Sequence, residues 1–234
     1  MKNLASVTCA LICGSTSAFG AVQVTNVRHT QHCFAESLDN GLDHDSIVTG
    51  QIGAFAGGTI AQAGYPTTVA SASADEVSIA LADASSINGA LTSDAHSRTL
   101  EFDQGMSSSL AYVAIEFLLD LPMDIEFAYT IQSVVIDAHA SNYTEVGLLD
   151  RTSGTYLYLS DFGANTTVQT RERLFLAPGE YEIEFLCESF AGVISDPDAG
   201  DNSSMSRLTY DVAFIPAPWT GGLLILFAAL RRRT

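Results

Sequence analysis

The segment Glu180-Tyr181-Glu182-Ile183-Glu184-Phe185 alternates strictly between acidic and apolar residues. Successive side chains of a β-strand point to opposite faces, so this alternation predicts a strand with its apolar side chains buried and its glutamates in water. The turn signal Ala177-Pro178-Gly179 precedes the strand, and residues 166–176 are a strand candidate on the other side of that turn. Together the two segments predict a β-hairpin.

The rest of the central chain contains further strand signals separated by turns. Residues 110–119 and 125–138 are apolar runs rich in β-branched and aromatic residues, which favours strands buried in a core. Residues 146–149 and 155–159 flank the turn-forming segment 150–154 and predict a second hairpin. The other strand candidates are residues 46–54, 67–71, 76–82, 99–103 and 206–214.

These strands and turns predict an all-β chain that folds as a single, jelly-roll-like β-sandwich. Residues 70–91 are rich in Ala and Ser, so a short helix is an alternative for that segment. Residues 50–64 are rich in Gly and Ala and receive no assignment. The sequence contains no internal repeat of fixed period.

The N-terminus has the parts of a secretory signal peptide. Lys2 provides the charged region, and an apolar region follows at residues 4–13. The small residues that precede the cut predict cleavage after Gly20, with cleavage after Ala18 as the alternative. Residues 1–20 are therefore expected to be removed during export.

The C-terminus combines Pro216-Ala217-Pro218, an apolar segment at residues 219–230 and the basic run Arg231-Arg232-Arg233. This order resembles the PEP-CTERM sorting signal, in a variant with Ala217 where the family usually has Glu. The resemblance implies that an exosortase reads residues 216–234, cuts near the Pro motif, and releases or anchors the protein at the cell surface.

The physics of this tail agrees with a sorting signal. Its apolar segment, residues 219–230, is about 18 Å long as a helix, against about 30 Å of hydrocarbon core. The positive-inside rule keeps the terminal arginines in the cytoplasm and places the rest of the chain outside. Residues 21–215 are then the ectodomain, which contacts the membrane only through the tail before processing. The alternatives are an ordinary C-terminal membrane anchor and a buried core helix.

The region between the two signals is strongly acidic. All 27 acidic residues of the chain lie in residues 21–216, together with six arginines and no lysine, so the net charge is 6 − 27 = −21. Such a surface repels nucleic acid and anionic membranes, which excludes both as partners. This charge favours the binding of divalent cations and solubility at high salt concentration.

Two of the four cysteines, Cys9 and Cys13, leave with the predicted signal peptide, and Cys33 and Cys187 remain. A pair of cysteines in an exported chain usually forms a disulfide, so a Cys33–Cys187 bond is predicted. The alternative is two separate thiols, with Cys187 simply buried.

Two acidic segments are candidate calcium loops. Calcium takes six to eight oxygen ligands, and closely spaced Asp and Asn residues in a turn supply several of them. No other cofactor is expected, and Asp, Asn and Gly are also ordinary turn formers. The candidate ligands are Asp196, Asp198, Asp201 and Asn202 in one loop and Asp39, Asp43 and Asp45 in the other.

Catalytic motifs such as Gly-x-Ser-x-Gly and His-Glu-x-x-His are absent from the sequence, so no catalysis and no catalytic residue is expected. His29, His32 and Cys33 form a short pattern of metal-binding residue types that lacks further ligands. Glu116 and Glu126 lie in apolar segments, and surface positions are favoured over a buried catalytic pair.

Three functional classes remain. The favoured class is a structural or interaction protein of the cell surface or extracellular matrix, with an exosortase-type enzyme as its processing partner. The second is a secreted carbohydrate-binding module that contacts extracellular polysaccharide through Tyr143, Tyr156 and Tyr158, of which the last two are expected on one strand face. The third is a secreted glycoside hydrolase.

Overall fold

The computed structural model describes residues 22–37, 41–65, 68–80, 86–99, 105–137, 139–193 and 201–216. These residues form β-strands and turns and contain no helix, which confirms the predicted all-β class. The strands are β1 (Val22–Ser37), β2 (Gly41–Gly50), β3 (Gly53–Tyr65), β4 (Thr68–Ala80), β5 (Ser86–Thr99), β6 (Gly105–Leu119), β7 (Met123–Ile136), β8 (Ala140–Asp150), β9 (Thr155–Phe162), β10 (Thr167–Leu176), β11 (Gly179–Val193) and β12 (Asp201–Pro216).

The strands form two six-stranded sheets packed against each other, as in a sandwich. Sheet A has the order β2-β1-β6-β11-β8-β9, and sheet B has the order β10-β7-β12-β5-β4-β3. The pairings among the described residues are antiparallel. The sixteen residues of β1 are about 50 Å long when extended.

Both ends of the described chain lie at one end of the sandwich. Val22 of β1 pairs with Leu119, and Pro216 of β12 pairs with Met123, on either side of the short β6–β7 turn. We call this the proximal end. The opposite end, which contains Ser37 and Asp201, is the distal end.

The core changes character along the length of the sandwich. Its proximal half is filled by large aliphatic and aromatic side chains, as expected from the sequence alternation. Its distal half is filled mainly by Ala, Ser and Cys. The large buried residues include Phe117, Leu119, Ile125, Phe127 and Ile183, and the small ones include Ala35, Ala72, Ser93, Ser109 and Ser189.

In the distal half, serine hydroxyls join the sheets directly. Ser93 Oγ donates to the backbone carbonyl of Ser109 at 2.9 Å, and Ser109 Oγ donates to that of Asp94 at 2.8 Å. Ser189 Oγ likewise donates to the carbonyl of Ser93 at 2.8 Å. A serine side chain is short, so these bonds require the sheets to lie closer than the usual spacing of about 10 Å. Larger side chains at these positions would separate the sheets.

Side chains from β2 cover the exposed edge of sheet B. β3 is the outer strand of that sheet, and its outward N–H groups have no neighbouring strand. Asp43 Oδ2 accepts from the backbone N–H of Gln62 at 2.9 Å, and Asp45 Oδ2 accepts from that of Ile60 at 3.4 Å. The two carboxylates therefore accept hydrogen bonds from backbone N–H groups that would otherwise be open to pairing with a strand of another molecule.

Replacing Asp43 and Asp45 together by alanine is expected to open this edge. Losing these charge-assisted hydrogen bonds should lower the free energy of unfolding by about 1–2 kcal/mol. Amide hydrogen exchange at Gln62 and Ile60 should become faster. The variant should also self-associate as its concentration rises, as measured by light scattering. Asp211→Ala removes an exposed charge from a central strand and serves as the control. Unchanged exchange at Gln62 would contradict the edge assignment.

One local prediction is wrong, one alternative is not observed, and two strands had no assignment. The segments now seen as β10 and β11 belong to different sheets, so residues 177–178 cross between sheets and do not close a hairpin ladder. The helix considered as an alternative for residues 70–91 is absent from the described residues of that segment, which lie in β4 and β5. The unassigned segment 50–64 contains β3, and β1 was not anticipated at all. The β8–β9 hairpin is confirmed.

Candidate functional site

The outer face of sheet A carries a carboxylate–arginine cluster, formed by Arg28, Glu116, Arg151 and Glu182. Glu116 of β6 and Glu182 of β11 face each other directly across the strand pair. Arg28 from β1 and Arg151 from the β8–β9 turn each pair with both carboxylates. Two like charges placed opposite each other are thereby bridged on both sides by cations.

This arrangement changes the environment of Glu182. Its side chain is only 6% exposed although it lies on an outer face. Burial raises the pKa of Glu182; the charge of Arg28 opposes that shift, and the charges of Glu184 and Glu116 add to it. Glu126, which was weighed with Glu116 as a possible catalytic pair, lies on the outer face of sheet B with Arg171 at 3.4 Å. The two glutamates suggested for hydrolysis are therefore not brought together.

A tyrosine platform, formed by Tyr112, Tyr156 and Glu184, adjoins this cluster. Tyr112 and Tyr156 donate to the two oxygens of Glu184 at 2.9 and 2.6 Å. Tyr156 starts on β9 and reaches Glu184 on β11 by crossing β8, where Gly147 leaves room for its ring. A Cβ at Gly147 would lie 3.1 Å from Tyr156 Cε1. Tyr156 as a residue is nevertheless 43% exposed, so it can contact a ligand.

The other two tyrosines suggested for glycan contact have different surroundings. A register shift in the β8–β9 pairing places Tyr156 and Tyr158 on opposite faces, so the expectation of one shared face is wrong. Tyr158 points inward, stacks on Phe127 and bonds to the Tyr129 hydroxyl at 2.6 Å. Tyr143 donates to Glu145 at 2.5 Å, and that bond with burial raises its pKa to about 12.

A groove of about 520 Å³ lies on the outer face of sheet B, toward the distal end. Its walls are mainly aliphatic and its floor is polar. The floor comprises Ser71, Ser73, Asp94, His96 and Ser203, and the walls comprise Ile60, Gln62, Val134, Ile136 and Met205. Small-molecule sites in proteins have this size and this combination of apolar walls with a few polar groups.

A polar pair lies inside the sandwich. His29 of β1 and Glu76 of β4 are both fully buried, with His29 Nδ1 at 2.6 Å from Glu76 Oε1. Ser78 Oγ donates to the same oxygen at 2.9 Å, and the His29 ring stacks on Phe55. His29 Nε2 lies 3.3 Å from the carbonyl of Gln51, which only accepts, so Nε2 carries a hydrogen. The hydrogen bond between Nδ1 and Oε1 then needs a proton on one of these two atoms.

The strand geometry separates the histidine–cysteine pattern of the sequence. His29 and Cys33 point into the core, whereas His32 is exposed on the opposite face of β1. In the part of the chain that the structure describes, no three His, Cys, Asp or Glu residues are grouped to hold a metal ion.

The calcium candidates fall into two groups. Asp39, Asp196 and Asp198 lie outside the described residues. Asp43 and Asp45 are strand residues whose carboxylates bind the β3 backbone, so they do not belong to a free turn.

In the second loop, Asp201 pairs with Arg98 at 3.0 Å. Asn202 is buried, with its Oδ1 unpartnered. The calcium hypothesis for these residues stays a prediction.

The predicted Cys33–Cys187 disulfide is wrong. Both thiols are free and buried. Cys33 pairs with Ser109 and Cys187 with Ala111, on opposite sides of β6. Two strand spacings amount to about 9.5 Å, beyond the Cα separation of about 7 Å that a disulfide tolerates.

Each thiol instead has a local polar environment. Cys33 Sγ donates to the carbonyl of Thr59 at 3.3 Å. Burial raises the pKa of the Cys187 thiol to about 12.

Of the predicted sorting motif, only Pro216 is described, as the last residue of β12. Ala217, Pro218, Arg231, Arg232 and Arg233 lie outside the described residues, as does the predicted signal peptide. Within the described ranges, no helix has the length and apolarity that a membrane span requires.

No protein-family model matches the chain, and no curated protein does. Among solved structures, an arabinose-bound α-L-arabinofuranosidase is similar over 69% of this chain and 22% of its own, with 14% identity and a TM-score of 0.25. The enzymatically active domain of tailspike protein 4 of bacteriophage CBA120 matches 68% of this chain and 19% of its own, with 10% identity and a TM-score of 0.20. An α-xylosidase from Xanthomonas citri matches 79% of this chain and 34% of its own, with 7% identity and a TM-score of 0.18. This chain therefore spans about a third or less of the length of these structures.

Proposed function

We propose that the chain is an exported interaction protein of the cell surface or extracellular matrix, processed by an exosortase-type enzyme and without a catalytic step of its own. Its ectodomain is a jelly-roll-like sandwich between a cleaved signal peptide and the C-terminal sorting signal. The supporting observation is the extent of the sandwich. β1 begins at Val22, two residues after the predicted cleavage site, and β12 ends at Pro216, the first residue of the Pro motif.

The strand arrangement also suits display on a surface. A tail that starts at Pro216 leaves from the proximal end, beside the start of β1. While the tail is tethered, the distal end is the end far from the membrane, and the groove on the face of sheet B lies toward that end. β12 lies between β5 and β7 inside sheet B, and Pro216 itself pairs with Met123 of β7.

Processing is tested by the intact mass of protein isolated from its natural host. The expected mass lacks residues 1–20 and the residues after the Pro motif. Deleting the exosortase-type gene of that host should restore the mass of the tail. A mass that keeps residues 219–234 in the unmodified host would refute removal of the tail.

The tyrosine platform supports a second candidate function, the binding of a neutral polysaccharide. Tyr156 offers a partly exposed ring next to the paired charges of Arg28, Glu116, Arg151 and Glu182. Sugars combine apolar C–H faces, which pack on aromatic rings, with hydroxyls that bond to carboxylates and guanidinium groups. The large negative charge of the domain disfavours acidic polysaccharides.

Tyr156→Ala is expected to weaken this binding about tenfold, because it removes the ring that would contact the sugar. The measurement is the retardation of the protein in gels that contain xylan or laminarin. Tyr143→Ala, on the same outer face, is the matched control and should bind as the unchanged protein does. Equal effects of the two substitutions would contradict a site at the platform.

A further inference from the structure

The groove on the outer face of sheet B contains a carboxylate without a partner. Asp94 of β5 is half-buried on the floor, between Met205 of β12 and Ser73 of β4 in the strand register. In the described part of the chain, its side chain makes neither a hydrogen bond nor an ion pair. Burial raises the pKa of Asp94, and the charge of Asp75 adds to the shift. Taking a carboxylate partly out of water without a partner is unfavourable.

The arginines in the described part of the chain do not pair with this carboxylate. Arg207 is one row away on β12, and Arg98 is on β5 itself. Arg98 pairs with Asp201 at 3.0 Å, and Arg207 forms no ion pair with a described residue. His96 lies two residues from Asp94 on the same face and lines the same groove. The missing positive charge is therefore most simply supplied by a ligand.

The walls define the rest of that ligand. Ile60 is 61% exposed on one side, and Ile136 is 56% exposed on the other, with Val134 and Met205 beside it. These side chains are aliphatic, and among the described residues no Phe, Tyr or Trp lines the groove. They suit a chain of methylene groups more than a sugar ring, because methylenes gain by leaving water. Hydroxyls of Ser71, Ser73 and Ser203 remain available to further N–H donors.

We propose that this groove binds an aliphatic diamine or polyamine, with one ammonium group on Asp94 and the methylene chain between the aliphatic walls. The net charge of −21 on residues 21–216 concentrates such cations near the surface. The aliphatic walls and the floor carboxylate then distinguish this ligand from an inorganic cation, which gains nothing from methylene contacts. The site is independent of the tyrosine platform, which lies on the other sheet.

The test is calorimetric titration of the purified full-length protein with 1,5-diaminopentane, alongside NMR spectra of its methyl groups. Binding should shift the methyl signals of Ile60, Ile136 and Met205. The neutral analogue 1,5-pentanediol and magnesium chloride at matched ionic strength should leave those signals in place. Equal shifts with the diol would remove the role of the carboxylate, and equal shifts with magnesium would indicate general screening.

Two substitutions distinguish binding of the diamine at the groove from its attraction by the overall negative charge. Asp94→Asn is expected to weaken diamine binding about tenfold, because it removes the charge-assisted bond and keeps the shape. Asp161→Asn removes the same charge from the outer face of sheet A and should leave the affinity unchanged. Equal losses in the two variants would overturn the proposal. If Asp94→Asn does not fold, the comparison of the diamine with the diol on the unchanged protein tests whether binding requires the ammonium group.

Discussion

Replacing His29 by leucine is expected to lower the free energy of unfolding by about 3–5 kcal/mol. His29 and Glu76 are fully buried and lie 2.6 Å apart between the two sheets. Without the imidazole, Oε1 of Glu76 keeps only the hydroxyl of Ser78, and Oε2 already has no partner. A carboxyl group inside the sandwich would then be left with one hydrogen bond, which is the costly way to break a buried pair.

A double-mutant cycle isolates the pair from the loss of packing. His29→Leu combined with Glu76→Leu removes both polar groups, and replacing a buried pair by apolar residues is often close to neutral. We therefore expect the double variant to be more stable than His29→Leu alone in urea unfolding followed by circular dichroism. Additive losses would show that the two groups act independently and would contradict the coupling.

The strands that could be predicted from sequence are those with regular alternation. β6, β7 and β11 bury apolar residues at every second position, and the period of two is visible without any tertiary information. β1 was missed because its inner face includes His29, Gln31 and Ser37 among apolar residues. A register shift near Val24 also displaces the pattern by one residue.

The Ala- and Ser-rich segment 70–91 left a helix open as an alternative for a different reason. Composition makes Ala a helix former, and the inner face of β4 is largely Ala. In the folded chain these small residues are required because the sheets approach closely in the distal half. Because this requirement is set by the opposite sheet, it cannot be predicted from the sequence of the segment itself.

The candidate sites depend on pairings between distant segments. Glu182 belongs to the most regular strand of the sequence and was expected in water, yet Arg28 and Arg151 cover it. The groove around Asp94 uses five strands of sheet B, whose order is not the chain order. The predicted disulfide failed because it assumed proximity that the intervening β6 excludes. Sequence alone identified the residue types but not their neighbours.

Gly89→Ala is expected to cost about 3 kcal/mol, although alanine is otherwise favoured over glycine in a strand. Gly89 of β5 is paired directly with Tyr210 of β12, whose ring lies over it and stacks on Phe185 at 3.8 Å. A Cβ at Gly89 would lie 2.5 Å from Tyr210 Cζ and 2.8 Å from the carbonyl oxygen of Val77. The ring is buried between the sheets, so it has little space to move aside.

Two comparisons assign the cost to this contact. Gly163→Ala adds the same methyl group where nothing lies within 4 Å, and it should change the free energy of unfolding by less than about 1 kcal/mol. In a Tyr210→Leu background the clash with the ring is gone, and only the contact with the Val77 carbonyl remains. The cost of Gly89→Ala should then fall without disappearing, because the Val77 carbonyl at 2.8 Å still has to move aside, as measured in the same urea experiment. A cost that stays near 3 kcal/mol in that background would place the strain in the β4–β5 backbone and remove the role assigned to the tyrosine.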